Sequence, residues 1–412
     1  MGQDASQTFP QTPIELGKKC VEVISQQIMK VDSMNDQPLG SNPQSNHYPM
    51  IDILRGFAAF TVIVYHVIEH ISWKSFPLKG IVGDWFQIGW MSVDLFFVTS
   101  GFVIVLSTVK SFKRSDSLRE FQKGYIRRRL TRIIPLHFLT CVIYLIFVSP
   151  EMLFMPRIGY HLISHIFFFH NWHPATIGSI NGPNWSLGVE MQFYLIVMLA
   201  AGWLSQVRPW VLVMTCALIS WAWRASAYAI FHDQIRFGSN LTWVYTSQVF
   251  GMLDLFAWGG ALALLIANDT NGKTQVWLNR WWIWPCISLS AAIPIMKIYW
   301  SNASYWSIPA MVIFWRTSEG FLWACLLATA CGLGSGRISR ISLPFRYFGT
   351  ISYGLYLWHI PVLFSLKRTY IVNKPESFLV WTLFLTFLCA SASWHLFEKP
   401  LMEKYQKRIH PS

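Results

Sequence analysis

The sequence predicts an all-α fold, a polytopic membrane helical bundle, and three observations carry that expectation. Only 13% of the 412 residues are charged while 53% are hydrophobic and 16% aromatic, whereas a water-soluble domain carries about a quarter charged residues. The apolar residues come in runs of about 18 to 25, the length a helix needs to cross a hydrocarbon core of roughly 30 Å. The basic residues gather between those runs, where orientation signals sit. That placement accounts for the net charge of +13, and no nucleic-acid partner is expected.

Taken in chain order, residues 1–47 are rich in Gln, Ser, Asn, Asp and Pro and lack a long apolar run. They read as a disordered polar tail and not as a secretory signal. The spans that follow, about ten, cover 53–73, 87–106, 131–149, 185–205, 210–230, 246–267, 281–299, 308–334, 347–366 and 377–397. Residues 48–400 therefore form the membrane domain, and 401–412 a short basic tail.

An even number of spans puts both termini on one side. The segment 107–132 holds Lys110, Lys113, Arg114, Arg119, Lys123, Arg127, Arg128, Arg129 and Arg132, so the positive-inside rule makes both tails cytoplasmic. The long segment 150–184 falls outside, as a re-entrant or surface stretch. Trp277, Trp281, Trp282 and Trp284 sit near span ends, as interfacial anchors do. The seven cysteines are scattered without C-x-x-C or a His/Cys cluster at metal-ligand spacing, so neither a disulfide nor a metal is expected.

Ionisable groups inside hydrocarbon are costly enough to mark functional sites. His66 follows Arg55 by about 16 Å of helix rise, Asp94 and Glu190 count to about 9 and 8 Å from the outer end of their spans, and His359 to about 18 Å from the inner side. All four reach one level near the midplane. A neutral imidazole beside a carboxylate takes a proton from a hydroxyl near neutral pH, with the carboxylate orienting the ring. His66 is thus the candidate base and Asp94 or Glu190 its partner. Asp254, Arg316 and Glu319 lie near that level, the last two reading as a mutually neutralising pair. On the inner side Arg55, Arg129 and Arg132 form a candidate phosphate site, since guanidinium forks bind phosphate with paired hydrogen bonds. A proton relay in a transporter or flippase is the competing reading of the same residues.

Several stretches resemble one known family. Asp52-Ile-Leu-Arg-Gly-Phe with His66 makes an R-x10-H pattern, followed by Val93-Asp-Leu-Phe-Phe-Val-Thr-Ser-Gly-Phe102 and Arg128-Arg-Leu-Thr-Arg-Ile-Ile-Pro135. Trp185-Ser-Leu-Gly-Val-Glu-Met-Gln-Phe-Tyr194, Ser352-Tyr-Gly-Leu-Tyr-Leu-Trp-His359 with Pro361, and Phe397-Glu-Lys-Pro400 complete the set. Each is weak alone; six in order resemble the acyltransferase-3 family of membrane O-acyltransferases. The resemblance implies a multi-pass enzyme of a cell membrane, foremost a bacterial plasma membrane. It would move an acyl group, acetyl foremost, from cytoplasmic acyl-CoA to a hydroxyl of a polysaccharide, lipid-linked sugar or other glycosylated acceptor. It also implies catalysis by His66, as general base or as covalent acyl relay, donor handling by the arginines, and substrate contacts from Trp185, Ser186, Tyr356 and His359. Many relatives carry an extra span and a fused hydrolase-like domain that this sequence does not show.

Overall fold

The structure, a computed structural model, describes residues 48–237, 240–302, 305–333, 343–369 and 374–407. The expected tail at 1–47 and the end of the basic tail lie outside the described residues. Among the described residues there is no strand, and ten longer helices organise the chain. They are α1 (Pro49–His70), α2 (Ser92–Arg114), α3 (Leu118–Ile143), α4 (Asn184–Leu199), α5 (Pro209–Phe231), α6 (Val249–Ala267), α7 (Ile283–Ser301), α8 (Pro309–Leu333), α9 (Ser352–Thr369) and α10 (Pro375–Ser393).

Each sequence-predicted span falls on one of these helices, yet only 8 of the described helices are long and apolar enough to cross a membrane. The two below that measure are α4, with 16 residues, and α9, which ends in Lys367 and Arg368 and carries His359 within. Both bury much of their surface against neighbouring helices, so their length and polarity answer to protein and not to lipid. The chain is a multi-pass membrane protein.

The basic segment 107–132, read from sequence as a loop, is almost entirely helical. α2 continues to Arg114, and α3 starts at Leu118 after a three-residue turn, 115–117. Ser117 caps α3 by accepting the Glu120 N–H at 3.2 Å, while the Glu120 carboxylate accepts from the Asp116 N–H at 3.3 Å. The two bonds occupy backbone donors at the helix start, a variant of the capping box in which Glu120 reaches the residue before the N-cap. It was legible in the sequence as Ser117-x-x-Glu120.

The centre of the bundle is the α2–α6 contact. The two spans containing them bury 78% of their apolar windows, against 11% for α7, which leans on α8 at the periphery. Gly101 and Gly259 permit the close approach: a Cβ on Gly101 would collide with the Phe256 carbonyl, and one on Gly259 with the Val98 carbonyl. Without a hydrophobic force between helices in lipid, such small-residue contacts let backbones pack by dispersion. A buried ion pair ties α5 to α6: Arg224 donates to Asp254 at 2.6 Å, to the Gly251 carbonyl at 2.7 Å and to the Ile313 carbonyl of α8 at 2.8 Å. Thr317 donates to the second Asp254 oxygen at 2.5 Å.

The segment 150–184 turns inward. After a short helix, Ile158–Ile166, the chain buries His170 and Asn171 completely. The Asn171 amide donates to Gln248 at 2.8 Å and accepts from Gln192 at 2.8 Å. The stretch then crosses to α9, where Asn181 donates to the Leu357 carbonyl at 2.9 Å. Ile180 and Asn181 both hold left-handed backbone, with φ 45 and φ 68. A β-branched residue in that region is strained and persists only where the surroundings fix it.

Candidate active site

α1 runs unbroken from Pro49 to His70, so it presents Arg55 and His66 about 16 Å apart along one rod. Near its far end His66 lines a cavity of about 690 Å³ whose walls include Trp90, Trp185, Trp243, Tyr299, Trp306 and Tyr356. Binding pockets for small molecules commonly measure about 300 to 1,000 Å³. Asp94 and Arg316 line the same cavity. Arg316 donates to Asp94 at 2.8 Å and lies over the Trp90 ring at 5.5 Å.

The hydrogen-bond partner of His66 is His359. The Nε2 of His359 lies 3.1 Å from the Nδ1 of His66, and the Nδ1 of His359 lies 2.7 Å from the Tyr356 carbonyl. A carbonyl only accepts, so His359 carries its proton on Nδ1 and offers a lone pair at Nε2. His66 must then be the donor across the 3.1 Å contact, and its Nδ1–H is shared with the Val62 carbonyl, also at 3.1 Å. One nitrogen of each ring is thereby assigned. The Nε2 of His66 remains as the unprotonated atom of a ring on the cavity wall. That is the tautomer a general base needs, and here an imidazole hydrogen-bonded to a carbonyl selects it where other sites use a carboxylate.

The four residues counted to one level divide into two groups. Asp94, in the first turn of α2, shares the cavity with His66 but pairs with Arg316. Glu190 accepts from Ser100 at 2.9 Å and from Tyr194 at 2.6 Å, and its charged neighbours are the arginines. Arg55 has Arg132, Asp52, Glu190 and Tyr194 around it. Arg129 lies between the Tyr125 and Tyr194 rings, at 5.6 and 5.5 Å, and donates to Ser107. The fold therefore gathers Arg55, Arg129 and Arg132 from α1 and α3 around Glu190 of α4. Arg316, read from sequence as the partner of Glu319, has its ion pair with Asp94 instead, and Glu319 accepts from Trp323 at 2.9 Å.

Of the residues singled out as substrate contacts, Trp185 and Tyr356 line the cavity. Ser186 sits behind the wall, 2.8 Å from the Tyr356 hydroxyl, and His359 stands behind His66. Sequence reasoning missed the aromatic wall. Trp90, Tyr299 and Trp306 fall at span ends, where an interfacial anchor and a cavity wall have the same sequence position.

The chain is similar over most of its length to curated bacterial proteins. It is 28% identical over 393 residues to the peptidoglycan O-acetyltransferase OatA of Listeria monocytogenes, covering 86% of this chain and 56% of that protein. It is 26% identical over 381 residues to the putative peptidoglycan O-acetyltransferase YrhL of Bacillus subtilis, covering 86% and 55%. With the O-acetyltransferase OatA of Staphylococcus aureus it shares 25% identity over 390 residues, covering 87% and 58%. The chain thus spans a little over half the length of these relatives. No solved structure matches it. The acyltransferase domain family matches residues 48–397, a stretch that holds α1 through α10 and every residue of the candidate site, and the chain belongs to that family.

Proposed function

We propose that this chain transfers an acetyl group from acetyl-CoA to a sugar hydroxyl of a glycan of the peptidoglycan type, with His66 as general base. The observation that carries this reading is the His66–His359 pair, whose hydrogen bonds leave the Nε2 of His66 unprotonated in a ring that lines an aromatic cavity. Flat indole and phenol rings offer apolar faces to the C–H faces of a pyranose and polar tips to its hydroxyls. The O-acetyltransferase activities of the relatives supply the acetyl group and the glycan.

In this mechanism the Nε2 of His66 removes the acceptor proton as the hydroxyl oxygen attacks the thioester carbonyl. The C–S bond breaks, and the departing thiolate takes the proton back from the imidazolium. Arg55, Arg129 and Arg132 hold the donor phosphates on the cytoplasmic side, Arg55 about 16 Å of helix rise below the base, and the acyl arm rises along α1. Asp94 and Arg316 hydrogen-bond acceptor hydroxyls at the cavity wall.

The experiment is acetyl transfer by purified protein in vesicles, with labelled acetyl-CoA and soluble glycan fragments. Base-labile acetate on the glycan is expected, and His66→Ala should lower its formation by about 10² to 10⁴, the usual worth of general-base catalysis. A protein that neither binds nor hydrolyses acetyl-CoA would overturn the reading. A covalent acyl-imidazole trapped on His66 would replace the base role with a relay.

A further inference from the structure

A cluster of ligand-type side chains lies outside the cavity and takes no part in the chemistry above. His137 and Cys141 stand one turn apart on α3, and His165 of the short helix Ile158–Ile166 meets them. One ligand atom from each lies within 4.8 Å of the other two. The sequence gives no hint of this through C-x-x-C spacing; the i,i+4 pair on a helix is the only local signal, and His165 arrives through the fold.

All three side chains are buried, His137 at 0%, His165 at 3% and Cys141 at 6% exposure. The sulfur of Cys141 lies 4.0 Å from each ring nitrogen of His137, so a turn of that ring selects which nitrogen faces the centre. His165 has its Nε2 3.3 Å from the Ser179 hydroxyl, and its Nδ1 is buried without a hydrogen-bond partner. His170 stacks on His165 with centroids 4.0 Å apart and rings parallel to 3°. The Asn184 amide donates to the Cys141 sulfur at 3.4 Å.

As packing, this group is costly. A buried ring nitrogen without a partner costs about 1 to 3 kcal/mol, and apolar side chains would fill the space at none of that cost. As a ligand set it is coherent: lone pairs from two imidazoles, a sulfur that becomes a thiolate, and an amide N–H that stabilises the thiolate from behind. Bonds of about 2.0 Å to nitrogen and 2.3 Å to sulfur at tetrahedral angles put ligand atoms roughly 3.3 to 3.5 Å apart. From separations within 4.8 Å, the cluster therefore closes by at most about 1.5 Å on loading.

We infer that His137, Cys141 and His165 bind one thiophilic d10 metal ion, Cu⁺ or Zn²⁺, in the interior of the bundle. On binding, the thiol proton leaves to solvent and one S–metal and two N–metal bonds form, with no change of oxidation state. Thiolate and imidazole ligands select these two ions over hard cations. Charge favours Cu⁺, because one thiolate neutralises it, while Zn²⁺ leaves a net positive charge in a dry site where uncompensated charge is expensive. The ion would staple α3 to the strained crossing that ends at α4. Ser179, against His165, precedes left-handed Ile180, and Asn184, against Cys141, follows Gly182 and Pro183 of the cavity wall.

The test does not depend on the acyltransferase reading. Purified wild-type protein, reduced and equilibrated separately with buffered Cu⁺ or Zn²⁺, is assayed by elemental mass spectrometry. About one ion per chain is expected for a mononuclear site, of either metal, with Cys141→Ser and His165→Gln dropping to the buffer level. In a parallel sample Co²⁺ replaces the ion, and a near-ultraviolet thiolate-to-cobalt band is expected. If the variants do not fold, the wild-type stoichiometry and the cobalt band still decide. A wild-type metal content equal to the buffer, an ion retained by both variants, or loaded cobalt without the thiolate band would overturn the inference.

Discussion

His359→Phe separates a positioning residue from a base. The substitution keeps a ring in the space of α9 but removes the Nε2 that accepts from His66 at 3.1 Å. The Nδ1–H of His66 is not orphaned, because the Val62 carbonyl, also at 3.1 Å, still accepts it. The ground state therefore changes little. When His66 takes up the acceptor proton, its remaining hydrogen bonds become charge-assisted, worth about 1.5 to 3 kcal/mol each against about 0.5 to 1.5 kcal/mol when neutral. The part of the His359 contact that exists only in the transition state is then about 1 to 1.5 kcal/mol, or about 5- to 13-fold in kcat. Initial rates of acetyl transfer in vesicles should show that fall with both Michaelis constants within about twofold, since nothing that touches donor or acceptor has moved. The double variant with His66→Ala should be no slower than His66→Ala alone, because His359 acts through His66. A double variant that loses the product of the two single losses, or a His359→Phe loss as large as that of His66→Ala, would refute the reasoning.

Four further outcomes are expected. Arg129→Ala and Arg132→Ala should each weaken acetyl-CoA binding by about 1.5 to 3 kcal/mol, the worth of a charge-assisted contact; calorimetry of donor binding checks this, and unchanged affinity with a raised acceptor KM would move the donor site elsewhere. Gly259→Val should lower the unfolding temperature in detergent, since its Cβ meets the Val98 carbonyl and overpacking costs about 1 to 3 kcal/mol or more; wild-type stability would mean that α2 and α6 pack less closely. Arg224→Met, which strands the buried Asp254 carboxylate, should cost about 3 to 5 kcal/mol, and adding Asp254→Leu should restore much of it; a double variant less stable than the single would contradict the ion-pair account. Cysteines introduced for Asp116 and Asn240, both exposed, should react with an impermeant thiol reagent from opposite faces in intact cells, Asn240→Cys from outside. Position 171, which the sequence reading placed in an outer loop, should stay unreactive because Asn171 is buried.

The sequence carries the solvent, the helical class and the approximate helix positions, because hydrocarbon leaves a spanning backbone few choices and run length reports them directly. It also determined which residue types were costly enough to matter, His66 and the arginines of α1 and α3 among them. Depth counting is one-dimensional, however, and it put His66, Asp94, Glu190 and His359 on one level without saying which face of each helix they occupy. Only the packing of α1 against α9, of α2 against α8 and of α3 against α4 decided that His359 meets His66 while Asp94 answers Arg316 and Glu190 joins the arginines. The same limit hid the aromatic wall, whose residues share their sequence positions with lipid anchors; for 150–184 the sequence left a re-entrant and a surface course open, and the burial of Asn171 and the bond of Asn181 to α9 decided for the inward one. That limit hid the His137–Cys141–His165 cluster too, since a ligand set assembled across two helices leaves only an i,i+4 pair in the chain. Rise per residue is a property of the helix; rotation about its axis is set by the neighbours it packs against.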